Sequence, residues 1–292
     1  MFAIIGATGK VGYATSSALR EADMPVRAVI RNESNSGLLR AIGCEIAVAN
    51  LHDSEALANA ISGAETVQVI IPPSPQADDG AKHMRTTIES IMFALEKARP
   101  KRVLAISDYG AHIDYDIGMP TMCRSLEARI SQINGHKVIL RSAEHMQNWA
   151  RSIPRAMETG ILKSFPVPTD MPLPMVSALD VGQIAARLLL QSVDDTALEV
   201  VHVEGPRRYS VDDVAAALSE LSGREISVEV APRSQWKAGL EVTMSASLAE
   251  LLTKANEALN QGGLIDVDPS SGEVIYGTTD LLQGLRPLLT SK

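Results

Sequence analysis

Cysteine is scarce: Cys44 and Cys123 are the only two in 292 residues, and neither has a C-x-x-C or Cys/His spacing. That argues against a zinc site, a redox dithiol or any metal centre, and both thiols are expected to be free. A basic surplus is lacking too, because 27 Lys and Arg stand against 35 Asp and Glu, for a net charge of −8. Such a balance gives no general pull towards nucleic acid or an anionic membrane. No apolar run approaches a membrane span, and the strand pattern at 2–5 is too short to be the apolar core of a leader. A cytoplasmic setting is the default expectation. There is no internal repeat and no low-complexity segment.

What is present is an ordinary globular composition, 45% hydrophobic and 21% charged, long enough for one large α/β domain with an appended lobe or for two smaller domains. The chain is organised around its first thirty-odd residues. A short apolar run stops at Gly6, and Gly6, Gly9 and Gly12 lead into a helical pattern over 11–21. Side chains at Gly6 or Gly9 would obstruct the approach of a pyrophosphate to the backbone, and Gly12 lets helix and strand pack closely. The helix N-terminus then offers unpaired N–H groups and a partial positive charge. The spacing is G-x-x-G-x-x-G, and its position between a strand pattern and a helix pattern makes it a dinucleotide-binding turn.

A second strand, 26–30, ends without the acidic residue that would bond a ribose 2′-hydroxyl. Arg31 stands there instead. Its forked, permanently charged guanidinium suits a 2′-phosphate, which favours NADP(H) over NAD(H); a solvated surface arginine is the alternative.

Strands and helices then alternate: a helix at 36–41, an apolar run at 45–49, a helix at 55–61 capped by Asp53-Ser54, and a strand at 67–71 stopped by Pro72-Pro73. A helix at 80–98, a strand at 102–107, a helix at 121–133 and a strand at 136–141 follow. This order predicts an α/β fold, a Rossmann-type doubly wound parallel sheet, with Gly6, Arg31, Asn50, Ile71, Pro72, Pro73 and 107–109 along one rim. The stretch 148–174 shows no clean period and marks the departure into a smaller, mostly C-terminal α+β lobe. The expected division is a nucleotide domain at 1–148 and a substrate-side lobe at 149–292, with part of 176–206 returning to the first. Asp180 is expected to cap a helix at 181–191, Ser210 and Asp213 to form a capping box, and 247–260 to be a late helix.

Taken together, these residues resemble the NmrA-like branch of the atypical short-chain dehydrogenase/reductases. The resemblance rests on Gly6-Ala-Thr-Gly-Lys-Val-Gly12, Arg31, the segment Leu140 to Asn148, Val176-Ser-Ala-Leu-Asp180, Glu204-Gly-Pro206 with Tyr209-Ser210, and Tyr276-Gly-Thr-Thr279, in order over nearly the whole chain. It implies that Thr8, Lys10 and Val11 join the glycines at the phosphates, that Arg31 meets the 2′-phosphate, and that Ile71 to Pro73 line the cofactor. Members include NADPH-dependent reductases of quinones and also non-catalytic proteins that sense the dinucleotide and act through a partner.

Typical short-chain dehydrogenases use a tyrosine whose phenol, with a pKa near 10, is made a usable acid by a lysine four residues later. Here Ile113 follows Tyr109 at that distance and Met119 follows Tyr115, so the pair is absent. Tyr109 and His112 are the catalytic candidates that remain. Ser107 either bonds the nicotinamide side or caps its turn. Tyr109, His145, Met146 and Trp149 are candidates for the substrate side. A quinone-like acceptor is already electrophilic and asks little beyond a positioned cofactor. The expectation is hydride transfer from NADPH to a small quinone-like or other conjugated acceptor, with a non-catalytic NADP-sensing regulator as the alternative. A homodimer and a regulatory protein partner both stay open.

Overall fold

In the computed structural model, which describes residues 1–191 and 197–290, the alternation of the first half is realised element by element. It runs β1 (Phe2–Ile5), α1 (Lys10–Glu21), β2 (Val26–Ile30), α2 (Gly37–Ala41), β3 (Glu45–Val48), α3 (Ser54–Ile61), β4 (Thr66–Val69), α4 (Gly80–Ala98), β5 (Arg102–Asp108), α5 (Met119–Ile130) and β6 (His136–Ser142). The second half holds β7 (Glu144–His145), α6 (Ile153–Thr159), β8 (Ile161–Ser164), β9 (Met175–Val176), α7 (Ala178–Leu190) and β10 (Leu198–Glu204). It continues with α8 (Val211–Ser222), β11 (Ser227–Val230), α9 (Trp236–Glu241), α10 (Ala246–Asn260), β12 (Glu273–Tyr276) and α11 (Leu281–Thr290).

Eight strands form one sheet in the order β12-β10-β6-β5-β4-β1-β2-β3, and every pairing is parallel. Its central strands β1 and β5 are almost wholly buried because both faces are covered, whereas the edge strands β3 and β12 are partly exposed. Ile5, Val69 and Ala105 pack with Leu57, Ile61, Met84 and Ile91 of α3 and α4 on one side. Ile4, Leu104 and Leu140 pack with Val11 of α1 and Val181 and Ile184 of α7 on the other. α1 and α7 approach closely through Gly182, where a Cβ would stand 2.4 Å from that of Ala14. The strand order reverses between β1 and β4, so a ligand crevice opens beyond their carboxyl ends.

The second half divides between two places. β10 and β12 extend the large sheet, while β8 pairs with β11 in a small parallel sheet over a third core that includes Ile153, Leu162, Val214, Leu218 and Leu285. Sequence periodicity does not announce α9, β12 or α11. The aperiodic stretch 148–174 holds α6 and β8. α7 begins at Ala178, with Ser177 as the cap. Asp180 is therefore not the cap; it lies in the first turn, where a carboxylate suits the helix dipole, and is spoken for elsewhere. Ser210 and Asp213 do form the capping box that opens α8. Among the described residues no helix is long and apolar enough to cross a membrane.

Candidate functional site

The turn between β1 and α1 is built for close approach. Gly6 has φ +74°, and a Cβ there would meet Ile70 at 2.8 Å. At Gly12 a Cβ would stand 2.4 Å from the Gly6 carbonyl oxygen, so the helix can sit on the turn only with hydrogen at that position. The N-cap of α1 is Gly9, which offers no side-chain cap, and the first turn carries no acidic residue. Its leading N–H groups thus face outward without a side-chain partner, an arrangement that welcomes an anion.

In front of the turn is a cavity of about 680 Å³ lined by Thr8, Gly9, Lys10, Tyr13, Ser34, Asn35, Gly37, Leu38 and Leu39. Thr8, Gly9 and Lys10 are exposed, whereas Val11 and Gly12 are buried beneath them. Loss of hydration lowers the Lys10 ammonium below its ordinary range. Arg31 is exposed just beyond β2, and its charge helps to lower His83, after the larger effect of burial and the contribution of His52. Asn50 is exposed and its side-chain oxygen accepts the His52 N–H at 3.0 Å; Ile71 is buried, with Pro72 half-buried and Pro73 exposed after it. The uncapped helix, the glycines that a Cβ would block, and a cation at the end of β2 fit a phosphorylated dinucleotide. Thr8, Gly9 and Lys10 would hold its phosphates, and Arg31 the 2′-phosphate.

The carboxyl ends of β5 and β6 are organised differently from the sequence expectation. Ser107 is buried and donates to Glu127 of α5, whose carboxylate also takes Arg141 Nε at 3.0 Å and Nη2 at 2.8 Å. Arg141 reaches Asp268 as well, at 2.9 Å. A buried guanidinium needs such counter-charges, and the Ser107 hydroxyl is drawn into the same group. Tyr109 is also displaced from its expected role. It is fully buried, its phenol bonds Glu204 at 3.3 Å, and Glu204 in turn accepts from Arg208. Burial, then the Glu204 charge, push its pKa upward, opposite to what a proton donor requires. His112 sits among Asp268, Arg141, Glu127 and Asp266, with burial lowering its pKa and Nδ1 unpartnered. The segment 264–272 crosses over this region, the Leu264 oxygen lying 3.2 Å from where a Cβ of Gly110 would be.

His145 lies where β6 gives way to β7, half-buried, with Nε2 3.0 Å from Ser142 Oγ. Burial, then the nearby Lys10 charge, lower its imidazole to about 4. Met146 is fully buried in the third core and offers a substrate no surface; Trp149 is half-buried beside it with its indole N–H unpartnered. Two residues that periodicity does not single out occupy the rim. Asp108 ends β5 opposite Ser142, and Glu144 follows β6. Both keep accessible surface, yet enough protein surrounds them that loss of hydration raises both carboxyls, Asp108 to about 7. The only signal in the sequence was an acidic residue directly after the apolar run of β5.

Residues 6–147 match the family model of NAD(P)H-binding domains. Quinone oxidoreductase 2 of Escherichia coli (strain K12) is 24% identical over 293 residues, covering 99% of this chain and 98% of the relative. The NAD(P)H azoreductase of Xenophilus azovorans is 23% identical over 261 residues, 87% of each. Among solved structures, the NADPH complex of the Escherichia coli quinone oxidoreductase superposes with a TM-score of 0.77 at 23% identity, over 99% of this chain and 100% of that one. The NADP(H) complex of Citrobacter sp. triphenylmethane reductase gives 0.80 at 18%, with the same coverage. The doubly wound fold and the resemblance to the NmrA-like reductases are borne out by these matches.

Proposed function

From an NAD(P)H-binding domain at residues 6–147, we propose that this chain is an NADPH-dependent oxidoreductase that passes hydride to a small quinone-like or other conjugated acceptor. The observation that carries the reading is the uncapped N-terminus of α1 behind a glycine turn, with Arg31 exposed beyond the neighbouring strand. Full-length similarity to a quinone oxidoreductase and near-full-length similarity to an azoreductase support the acceptor class, because quinones and azo compounds are both conjugated acceptors. The chain's part is to bind and orient the cofactor and to shelter the transfer; bound NADPH supplies the hydride. Free Cys44 and Cys123 support a reducing, cytoplasmic setting.

The test is NADPH consumption with a panel of simple quinones and azo compounds. Turnover above the uncatalysed rate supports the reading, and its absence across the panel removes it. A second reading, a dinucleotide-sensing regulator acting through a protein partner, is favoured by one observation: Tyr109 is buried and no lysine accompanies it. It predicts partner capture that depends on NADP or NADPH.

A further inference from the structure

The order of the large sheet divides the cleft. In a doubly wound sheet the β1-β2-β3 half carries one nucleotide of a dinucleotide and the β4-β5-β6 half the other. The cavity at Thr8 to Leu39 and Arg31 belong to the first half, which assigns the nicotinamide to the second. Asp108 is the last residue of β5, in register with Ser142 of β6, and Ser142 is bonded to His145, whose imidazole feels Lys10 of the phosphate turn. This carboxyl is fixed to a central strand at the rim of the nicotinamide half. It keeps accessible surface, and none of the ion pairs among the described residues includes it.

We propose that Asp108 donates the proton that accompanies hydride transfer to the acceptor, the task left open by the missing Tyr-x-x-x-Lys pair. The proposal rests on the oxidoreductase reading above. Two-electron reduction of a quinone to a hydroquinone consumes one hydride, oxidising NADPH to NADP+, and one proton. The Asp108 O–H bond breaks with its electron pair remaining on the carboxylate, the new O–H bond forms on the acceptor oxygen, and water returns a proton to Asp108. An ordinary aspartate would be ionised at neutral pH and useless for this. Here loss of hydration, then the charge of Glu144 beyond β6, hold it protonated up to about 7; the Tyr109 N–H works the other way, and the charge of Glu127 on α5 adds the smallest push upward. Cys123 of α5, itself raised by burial and by Asp108 and Glu127, contributes no positive charge that would reverse this. An acid of that strength matches a neutral operating pH.

The test compares the wild type with Asp108→Asn and Asp108→Glu, using a water-soluble quinone and NADPH. In the wild type kcat should be level in mild acid and fall about tenfold per pH unit above neutrality, and Asp108→Asn should lower kcat about 100-fold and flatten the profile. NADPH affinity by calorimetry should be unchanged in both variants, which also shows that they fold, and Asp108→Glu should restore part of the rate. Independently of activity, one carboxyl carbon in 13C NMR of the free protein should titrate near 7 and vanish in Asp108→Asn. An active wild type with an unaltered Asp108→Asn overturns the proposal alone, as does an Asp108 carboxyl that titrates in the usual range. A wild type that binds NADPH yet reduces no acceptor overturns the oxidoreductase reading, and this proposal with it.

Discussion

Asp180 and Thr279 are 99 residues apart and meet through both carboxylate oxygens: Thr279 N–H donates to Oδ2 at 2.9 Å and Thr279 Oγ1 to Oδ1 at 2.8 Å. The contact pins the chain between β12 and α11 to the first turn of α7, the helix packed on α1. A Cβ at Gly277 would stand 2.3 Å from the same carboxylate, so the approach is tight. Asp180→Ala leaves two donors unmet in a part-buried place, and should cost about 2 to 4 kcal/mol. Urea unfolding should show a lower midpoint with an unchanged slope; Thr279→Val should lose less, because the backbone N–H keeps its partner.

Arg31 separates two cofactors that differ by one phosphate. Charge-assisted hydrogen bonds to that group are worth about 1.5 to 3 kcal/mol, so Arg31→Ala should weaken NADP(H) binding by roughly tenfold to a hundredfold and leave NAD(H) nearly untouched. Calorimetric titration of all four dinucleotides reads this directly. Equal losses for NAD and NADP would refute the assignment of Arg31 to the 2′-phosphate.

Gly12 gives a steric test of the same site. Gly12→Ala places a Cβ against the Gly6 carbonyl oxygen and the Ala7 backbone, atoms that cannot swing aside as a side chain would. The turn or the helix must shift, and either movement disturbs the N–H groups that face the phosphates. Affinity for NADP and NAD should fall together, unlike the selective loss at Arg31. Titration of the two cofactors with this variant checks the contrast.

The fold was legible where physics is local. Apolar runs at 2–5, 26–30 and 102–107, the Asp53 and Ser210 caps, and the glycines of the first turn all express rules that act within a few residues, and each stands where those rules put it. Legibility failed where a residue's duty was set from far along the chain. Ser107 and Tyr109 looked like rim residues because they flank the end of a strand; Glu127 and Glu204 turn both inward. Glu204 is 95 residues from Tyr109, and the Arg208 and Asp266 that complete its network come from still later segments. Met146 likewise needed the third core, built from α6, α8 and α11, before its burial could be known. Asp108 and Glu144 are illegible for the converse reason, since nothing near them in sequence distinguishes a carboxylate hemmed in by protein from a solvated one.

Tyr109→Phe separates burial from chemistry. Among the described residues the phenol bonds only Glu204, at 3.3 Å, and Glu204 keeps its bonds to Arg208 when the hydroxyl is removed. The variant should lose about 1 kcal/mol of stability, and kcat should stay within about twofold of the wild type. A large fall in kcat with unchanged stability would return Tyr109 to the list of catalytic groups.

His145 and Asp108 oppose each other in how stability depends on pH. His145 is lowered to about 4 in the folded chain, so on acidification from its ordinary value near 6.5 the unfolded chain takes up a proton that the folded chain refuses. Its contribution is complete above that ordinary value and is lost as pH falls towards 4. Asp108 has the reverse sign. Raised to about 7, it holds a proton in the folded chain that the unfolded chain releases, so its contribution is complete below the ordinary aspartate value of 3.8 and is lost as pH rises through 7. Across the shared window the two slopes cancel in part. Thermal unfolding at a series of pH values should therefore fall more steeply on acidification in Asp108→Asn than in the wild type, and less steeply in His145→Gln. Parallel curves for all three proteins would mean that neither group is shifted in the folded chain, and would remove the electrostatic basis for Asp108 as an acid at neutral pH.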